Sequence, residues 1–490
     1  MGSLPARSID TPLPLRILII GAGISGLGLS IRLRQYAPCA TITILEKNAE
    51  VGGTWFENRY PGVACDIPSH VYQYTFEPNT QWSRFFSPGE EILEYVKGVA
   101  RKYRVRELVE FGKVVRGCVW DGGGASGLCV WGRWALGKKR RGRSRGGLML
   151  WLTVRALIGV GSSAIQVLPH LQRKCKDVYH FARGGTWISE PFGGAATQDS
   201  IAGDKDSGNY EERGKFKDDL EYYWKYRKHI ERFINLDHPC LFPGTESAIS
   251  GKEGIMQNMK KKLAGKPEIY EALEPKWSPG CRRLTPGPGF LEALVKDNVH
   301  FSRMKIVGVS KNEILLENGT RRKVDAIICA TGFDTSFLPR FPIEGHNGTL
   351  LSEQWKDTAS SYLSLATPNF PNLFTVGGPN SATGGGSLLI IFESIIGYVA
   401  KCVQKMSREH VCRMEVKAEA LRAWEEYMEA YFPTTVHVEA CTSWYKAGKK
   451  DNRVVGLWPG SSLHARKTLE HPRWEDWDFR YGREMEGSVG

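Results

Sequence analysis

A short apolar run that ends in a spaced set of glycines leaves few folds open to this chain. Arg16-Ile-Leu-Ile-Ile20 reads as a buried parallel strand, and Gly21-Ala-Gly23-Ile-Ser25-Gly26 follows at once. Leu27, Ile31 and Leu33 then recur at helical spacing. The glycines differ in what they allow. Gly21 permits a tight turn, Gly23 lets the backbone approach a pyrophosphate, and Gly26 lets helix and strand pack closely. The helix start offers unsatisfied N–H groups and the positive end of its dipole to phosphate. Ala40 to Leu45 forms a second strand, and Glu46 ends it 20 residues after Gly26. A carboxylate there accepts hydrogen bonds from ribose hydroxyls. Strand, turn, helix, strand and acid in register predict a dinucleotide site contacted by Gly21, Gly23, Ser25, Gly26 and Glu46.

The pattern occurs twice. Leu157-Ile158 leads into Gly159-Val-Gly161-Ser162-Ser163-Ala164, with alanine in the third glycine's place, as the pattern allows. A helix carrying Ile165, Leu168 and Leu171 follows, then a strand at Val178 to Phe181. Arg183 stands where Glu46 stood in the first copy. Its guanidinium welcomes a 2′-phosphate, so this site is expected to prefer NADPH over NADH. Two such units in one chain suit a bound flavin and a nicotinamide presented to it. A third signal, the apolar strand of Val324 to Asp334 with Ala330-Thr331-Gly332 at its end, resembles the strand that returns the chain to the flavin domain in two-dinucleotide flavoproteins. The expected fold is α/β, with two Rossmann-like dinucleotide-binding domains, for FAD and NADPH, and a helical insertion.

Composition narrows the classes further. The chain has 490 residues, enough for two or three domains. The net charge of +13 raises the question of nucleic acid. Eight of the basic residues, Arg133, Lys138 to Arg141, Arg143, Arg145 and Arg155, fall between Gly122 and Leu157 with no acid among them. The remaining bias is mild and suits polyanionic cofactors, so no nucleic acid partner is expected. No signal-peptide pattern, myristoylation signal or run long enough to span a bilayer is seen, which makes a cytoplasmic protein the expectation. Eleven cysteines include no C-x-x-C, against a zinc knuckle or a redox-active disulfide, and scattered buried thiols are expected. No metal is expected.

The stretch Gly52-Gly-Thr54-Trp55-Phe-Glu-Asn-Arg-Tyr-Pro-Gly-Val-Ala-Cys-Asp66 matches [A/G]-G-x-W-x4-[F/Y]-P-[G/M]-x3-D at every fixed position. On this motif the chain resembles the Baeyer–Villiger monooxygenases, FAD- and NADPH-dependent flavoproteins. Phe181 to Trp187, Cys281 to Phe290, Gly378 to Gly384, Trp458-Pro-Gly and Pro472 to Asp476 are similar to further family segments, the last two to those of fungal members. The resemblance implies that NADPH reduces FAD, that oxygen adds at the flavin C4a to give a peroxide, and that this attacks a ketone to yield an ester or lactone. It places the active-site arginine at Arg283, with neighbouring Arg282 a competitor, and has Asp66 position that guanidinium. Thr54, Trp55 and Asp66 join the expected cofactor contacts. A fixed cation suits a peroxy anion because guanidinium keeps its proton at working pH. Fungal polyketide metabolism of the aflatoxin and sterigmatocystin type is the implied setting.

One family segment is missing. The pattern F-x-G-x3-H-x3-W-[P/D], usual before the second turn, is absent, and residues 118–155 are rich in Gly and Arg instead. A basic loop, a divergent linker, or coding sequence read out of frame or from a retained intron are the three readings, and the abrupt joins favour the third. The expected organisation is a first flavin part (1–117), this linker (118–155), an NADPH domain (156–334) with a helical insertion at about 195–280, and a second flavin part (335–490). Two rival functions stand beside ketone oxygenation: N- or S-oxygenation by the same oxygen chemistry, and flavin binding without turnover. The oligomeric state is not legible.

Overall fold

The computed structural model describes residues 11–121, 126–133, 153–191, 210–236, 238–450 and 452–482. Three parallel strands form the first sheet: β1 (Arg16–Ile20), β2 (Thr41–Glu46) and β3 (Val109–Phe111), in that order. The helix α1 (Ile24–Tyr36) crosses from β1 to β2 and buries Leu27, Ile31 and Leu33. Strand β4 (Lys113–Asp121) then pairs antiparallel with β5 (Ser126–Arg133). The segment expected to be an irregular linker from residue 118 therefore begins inside a hairpin. The rest of that linker, 134–152, lies outside the described residues.

A second parallel sheet is built from β6 (Val154–Ile158), β7 (Asp177–Phe181), β10 (Val299–Ser302) and β14 (Ala326–Cys329), ordered β10-β7-β6-β14. Between β10 and β14 stands a small antiparallel sheet of β11 (Ile306–Val309), β12 (Glu313–Leu316) and β13 (Arg321–Lys323). Helix α2 (Ser162–Lys174) crosses from β6 to β7 and buries Ile165, Leu168 and Leu171. Between β7 and β10 the chain adds the short strands β8 (Ile188–Ser189) and β9 (Thr285–Pro286), which pair in parallel. Within that excursion lie α3 (Tyr210–Asp218), α4 (Leu220–Asn235), α5 (Glu246–Lys262) and α6 (Pro267–Leu273). Two of them, α4 and α5, start at capping residues: the Asp219 carboxylate accepts from Tyr222 N–H, and the Thr245 hydroxyl from Ala248 N–H.

These helices face two ways. Met259, Leu263, Ile269 and Leu273 pack into the core beneath the second sheet, while Ile230 and Ile234 of α4 pack on Val71 from the first half of the chain. The long helix α7 (Leu388–Arg408) returns to the first sheet. Gly28 of α1 lets it come close, because a Cβ there would lie 3.0 Å from Ile396 Cδ1 and from the Tyr74 ring.

Strand β1 is incompletely covered. Among the described residues it pairs only with β2, and Leu18 and Ile20, on the side opposite Ile19, keep 38% and 45% of their surface exposed. Strands of parallel sheets are apolar because both faces are normally covered. Among the described residues no helix is long and apolar enough to cross a membrane.

The cysteines are not all thiols: Cys281 and Cys441 are joined as a disulfide. Sequence separation of 160 residues hid this pairing, which tertiary packing alone creates.

Candidate active site

Each glycine turn has the form of a phosphate cradle. Gly21 has φ +100°, and its N–H donates to the Leu45 carbonyl at 2.8 Å. A Cβ on Gly26 would sit 2.0 Å from the Gly21 carbonyl oxygen, so no side chain fits there. Helix α1 opens after Gly23 with no side-chain cap and no acid in its first turn, which carries the half-buried Ser25. Its first amides are therefore free to bind an anion. Glu46 is buried at the end of β2, and its oxygens accept from Ala22 N–H and Asn48 N–H, each at 2.7 Å. The carboxylate thus props the turn, in addition to standing where ribose hydroxyls were expected.

In the second cradle Gly159 has φ +117°, and a Cβ would lie 2.2 Å from the Ala330 carbonyl oxygen. Gly161 has no atom within 4 Å of a Cβ position, and α2 likewise begins uncapped. Ala330, Thr331 and Gly332 close off β14, and Ala330 N–H donates to Ile158 O at 2.8 Å. They lie against the second turn, just past the end of that strand. Both cradles fit the pyrophosphate of a dinucleotide.

The Gly52–Asp66 segment ties the two halves together. Gly52 N–H donates to Ala22 O at 3.0 Å, and a Cβ on Gly53 would stand 3.1 Å from Gly23 Cα, so the segment starts directly on the first cradle. Thr54 is exposed and Trp55 buried just beyond. Further on, the Tyr60 hydroxyl donates to Gln166 Oε1 at 2.9 Å and accepts from Ser163 Oγ at 3.3 Å. Burial, and behind it the charge of Asp66, push the Tyr60 phenol up. Gln166 Nε2 in turn donates to Ala64 O at 2.9 Å. Gly62 is needed because a Cβ would meet the Gln166 carbonyl at 2.6 Å.

At the far end of that segment stands Asp66, opposite Arg283. Arg283 Nη2 donates to Asp66 Oδ1 at 2.7 Å and Nε to Oδ2 at 3.1 Å, a forked pair. Burial works against the guanidinium charge, but Asp66, with Tyr445 behind it, more than offsets this and raises the Arg283 pKa. The two side chains keep 30% and 20% of their surface, so the pair can be reached from outside. Beside it, Ser162 Oγ and Thr285 Oγ1 lie 2.9 Å apart, joining the second cradle to the segment that carries Arg283.

Arg282 points to a different partner, over the Trp277 ring at 5.8 Å. Burial and the charge of Arg183 both lower its pKa. Arg183 is exposed at the end of β7, and Arg303 Nη2 donates to its carbonyl at 3.3 Å. Arg183, Arg282 and Arg303 thus form a cationic cluster beyond the second cradle. Sequence reasoning placed only Arg183 at the coenzyme, weighing Arg282 solely as a rival of Arg283 and not naming Arg303; these two lie at least 99 residues from Arg183 along the chain, with no local signal.

The comparisons agree with this geometry. Residues 19–88 match the model of the NAD(P)-binding Rossmann-like domain. The FAD-binding monooxygenase tazF of Aspergillus terreus is 33% identical, over 96% of this chain and 90% of its own length. A Baeyer–Villiger monooxygenase of Pseudomonas aeruginosa is 32% identical, over 94% of this chain and 90% of its own. The chain belongs to the Baeyer–Villiger monooxygenase family. A closed crystal structure of cyclohexanone monooxygenase shares the fold, with a TM-score of 0.78 at 20% identity, over 96% of this chain and all of that one.

This monooxygenase is therefore an FAD- and NADPH-dependent enzyme. The tazF alignment extends over 516 positions, more than the 490 residues of this chain, so the relative carries internal residues that this monooxygenase lacks.

Proposed function

We propose that this monooxygenase inserts one oxygen atom of O2 into a ketone, giving an ester or lactone. The forked pair of Arg283 and Asp66 at the end of the motif segment carries this reading. FAD reduced by NADPH supplies the oxygen activation; the chain's own residues bind, orient and shield. The first cradle and Thr54–Trp55 hold the flavin nucleotide, with Glu46 propping the turn. The second cradle, with Ser162, Ser163 and the Ala330–Gly332 segment, holds NADPH, and Arg183 with Arg282 and Arg303 takes its 2′-phosphate. Arg283 provides the fixed cation beside the reacting oxygen, and Asp66 locks its plane.

The fungal origin of tazF supports a small-molecule ketone of secondary metabolism, of the aflatoxin and sterigmatocystin polyketide type, as the substrate. The test is incubation with NADPH, 18O2 and a panel of cyclic and polyketide-like ketones, with a tertiary amine and a thioether offered beside them. One 18O atom in an ester product is the expected result. Labelled N-oxides or sulfoxides, with no ester from any ketone, would instead favour heteroatom oxygenation.

A second reading is favoured by two observations. The exposed Leu18 and Ile20 of β1, together with the internal residues missing relative to tazF, suit a chain that has lost a covering segment and binds flavin without turnover. Anaerobic mixing with NADPH separates the two: a flavin that bleaches supports the enzyme, and one that stays yellow supports the inactive chain. Transcripts sequenced across residues 118–155 tell whether the segment is lost by splicing.

A further inference from the structure

The stretch that carries Arg283 is fastened to a distant part of the chain at its back. Cys281, two residues before Arg283, is bonded to Cys441, and both are essentially without exposed surface. Around the bond, Ser278 N–H donates to Glu439 Oε2 at 2.7 Å, and His437 Nδ1 lies 3.1 Å from Gly280 O. Lys446, itself buried, donates through Nζ to the carbonyls of Glu439 and Lys450, each at 2.6 Å, which holds 439–450 in a closed loop.

That loop delivers Tyr445 to the active site. Its phenol is buried, close enough to the Arg283 guanidinium and to Asp66 for both charges to act on it. The Tyr445 carbonyl accepts from Val455 N–H at 2.7 Å and Gly456 N–H at 2.9 Å. Val455 and Gly456 in turn accept from Asn380 N–H at 2.7 Å and Ala382 N–H at 3.0 Å, in the loop similar to the family's flavin-contacting one. A continuous set of contacts therefore leads from the disulfide through Tyr445 and Arg283 to the flavin side of the site.

We propose that Cys281, Cys441 and Tyr445 are the positioning residues of Arg283, and that the bond between the two sulfurs makes this positioning sensitive to thiols. The inference rests on the reading of Arg283 as the cation of the oxygen chemistry. Reduction adds two electrons and two protons to the S–S bond, yielding two thiols, while an external dithiol loses the same and closes its own disulfide. With the bond open, the Ser278–Glu439 and Gly280–His437 contacts, the approach of Cys281 Sγ to the Glu439 carbonyl at 3.4 Å and the Tyr445 phenol still join the two stretches, but the covalent tie is gone and Arg283 gains freedom to leave its place. Buried Cys65, Cys175 and Cys402 remain thiols in the same chain, so burial alone does not produce such a bond. In a reducing compartment the bond forms conditionally, which suits a switch better than a permanent staple.

The test uses the full-length, FAD-loaded protein, oxidised and after treatment with dithiothreitol and alkylation. Peptide mapping without reductant should recover Cys281 and Cys441 in one cross-linked pair. On reduction, amide exchange in 278–286 and 436–446 should quicken at least about tenfold while that of β1, β2 and β6 stays unchanged. In air, without ketone, peroxide release at saturating NADPH should rise about tenfold with KM for NADPH within about twofold. Tyr445→Phe should give the same kcat-only rise with the disulfide intact. Cys281→Ser with Cys441→Ser reproduces the reduced state if it folds; dithiol treatment of the native chain covers the case in which it does not. Recovery of both cysteines as thiols from oxidised protein overturns the proposal. So does reduction that leaves both exchange and kcat unchanged. If NADPH bleaches the flavin in neither state, the proposed function fails, and the exchange result alone then decides for or against the frame.

Discussion

Arg283 grips Asp66 through two parallel hydrogen bonds, although 217 positions separate them in the chain. The fork has planar geometry that an ammonium cannot reproduce. Arg283→Lys is therefore expected to keep FAD bound and to lose oxygenation by about 100-fold or more, as for loss of a preorganised charge contact. Asp66→Asn keeps one acceptor and should lose less. Steady-state ester formation and the absorbance of bound flavin check both, and full activity in Arg283→Lys would remove Arg283 from the chemistry.

The two cradles should fail separately. In Gly26→Ala the new methyl group meets the Gly21 carbonyl at 2.0 Å, so the purified protein should contain little or no flavin. Gly159→Ala combines a collision at 2.2 Å with φ +117°. It should remain yellow yet be reduced by NADPH about 10–100-fold more slowly, the scale expected for one strained backbone position. Rapid mixing under anaerobic conditions measures this. A flavin-free Gly159→Ala would mean that the halves do not act independently.

The cluster of Arg183, Arg282 and Arg303 bears on coenzyme choice. Arg183→Ala should raise KM for NADPH about 10–100-fold, the worth of one or two charge-assisted contacts, and change that for NADH little. Equal effects on both coenzymes would place the 2′-phosphate elsewhere.

Three buried histidines set an acid limit. Burial lowers His70 to about 3, His180 to about 4 and His437 to about 4. His70 feels the Arg227 charge as well, while the carbonyls of Gly159 and Gly280 partly hold up the other two. Each stays neutral when folded and takes a proton near pH 6.5 when unfolded. The unfolded state thus binds more protons below pH 6.5, and stability falls with pH down to the folded values. The loss is on the order of 1–2 kcal/mol per histidine at pH 5. Thermal unfolding at pH 7, 6 and 5 should show a falling Tm, and a flat profile would contradict these assignments.

Much of the site was legible because its determinants are local. A positive-φ glycine, a helix start without a cap and a strand end lie within a few residues of one another, so the two cradles could be read directly. The motif segment was readable as a string, but the string did not show what it connects. It lies on the first cradle at Gly52–Gly53, docks on α2 through Tyr60, and ends on Arg283. No spacing rule contains that bridge, since it depends on where the second sheet sits relative to the first.

The sequence by itself determined the two dinucleotide cradles, the order of strands and helices around them, and the basic bias near the second site. Only the tertiary structure showed that Arg282 and Arg283 leave adjacent positions for opposite company, one over Trp277 near Arg183 and the other on Asp66. It also decided that Glu46 braces its own turn and that Cys281 meets Cys441. Backbone conformation is set by nearest neighbours along the chain. Convergence of charged and sulfur-bearing side chains is set by packing between segments 99 or more residues apart, which no local pattern encodes.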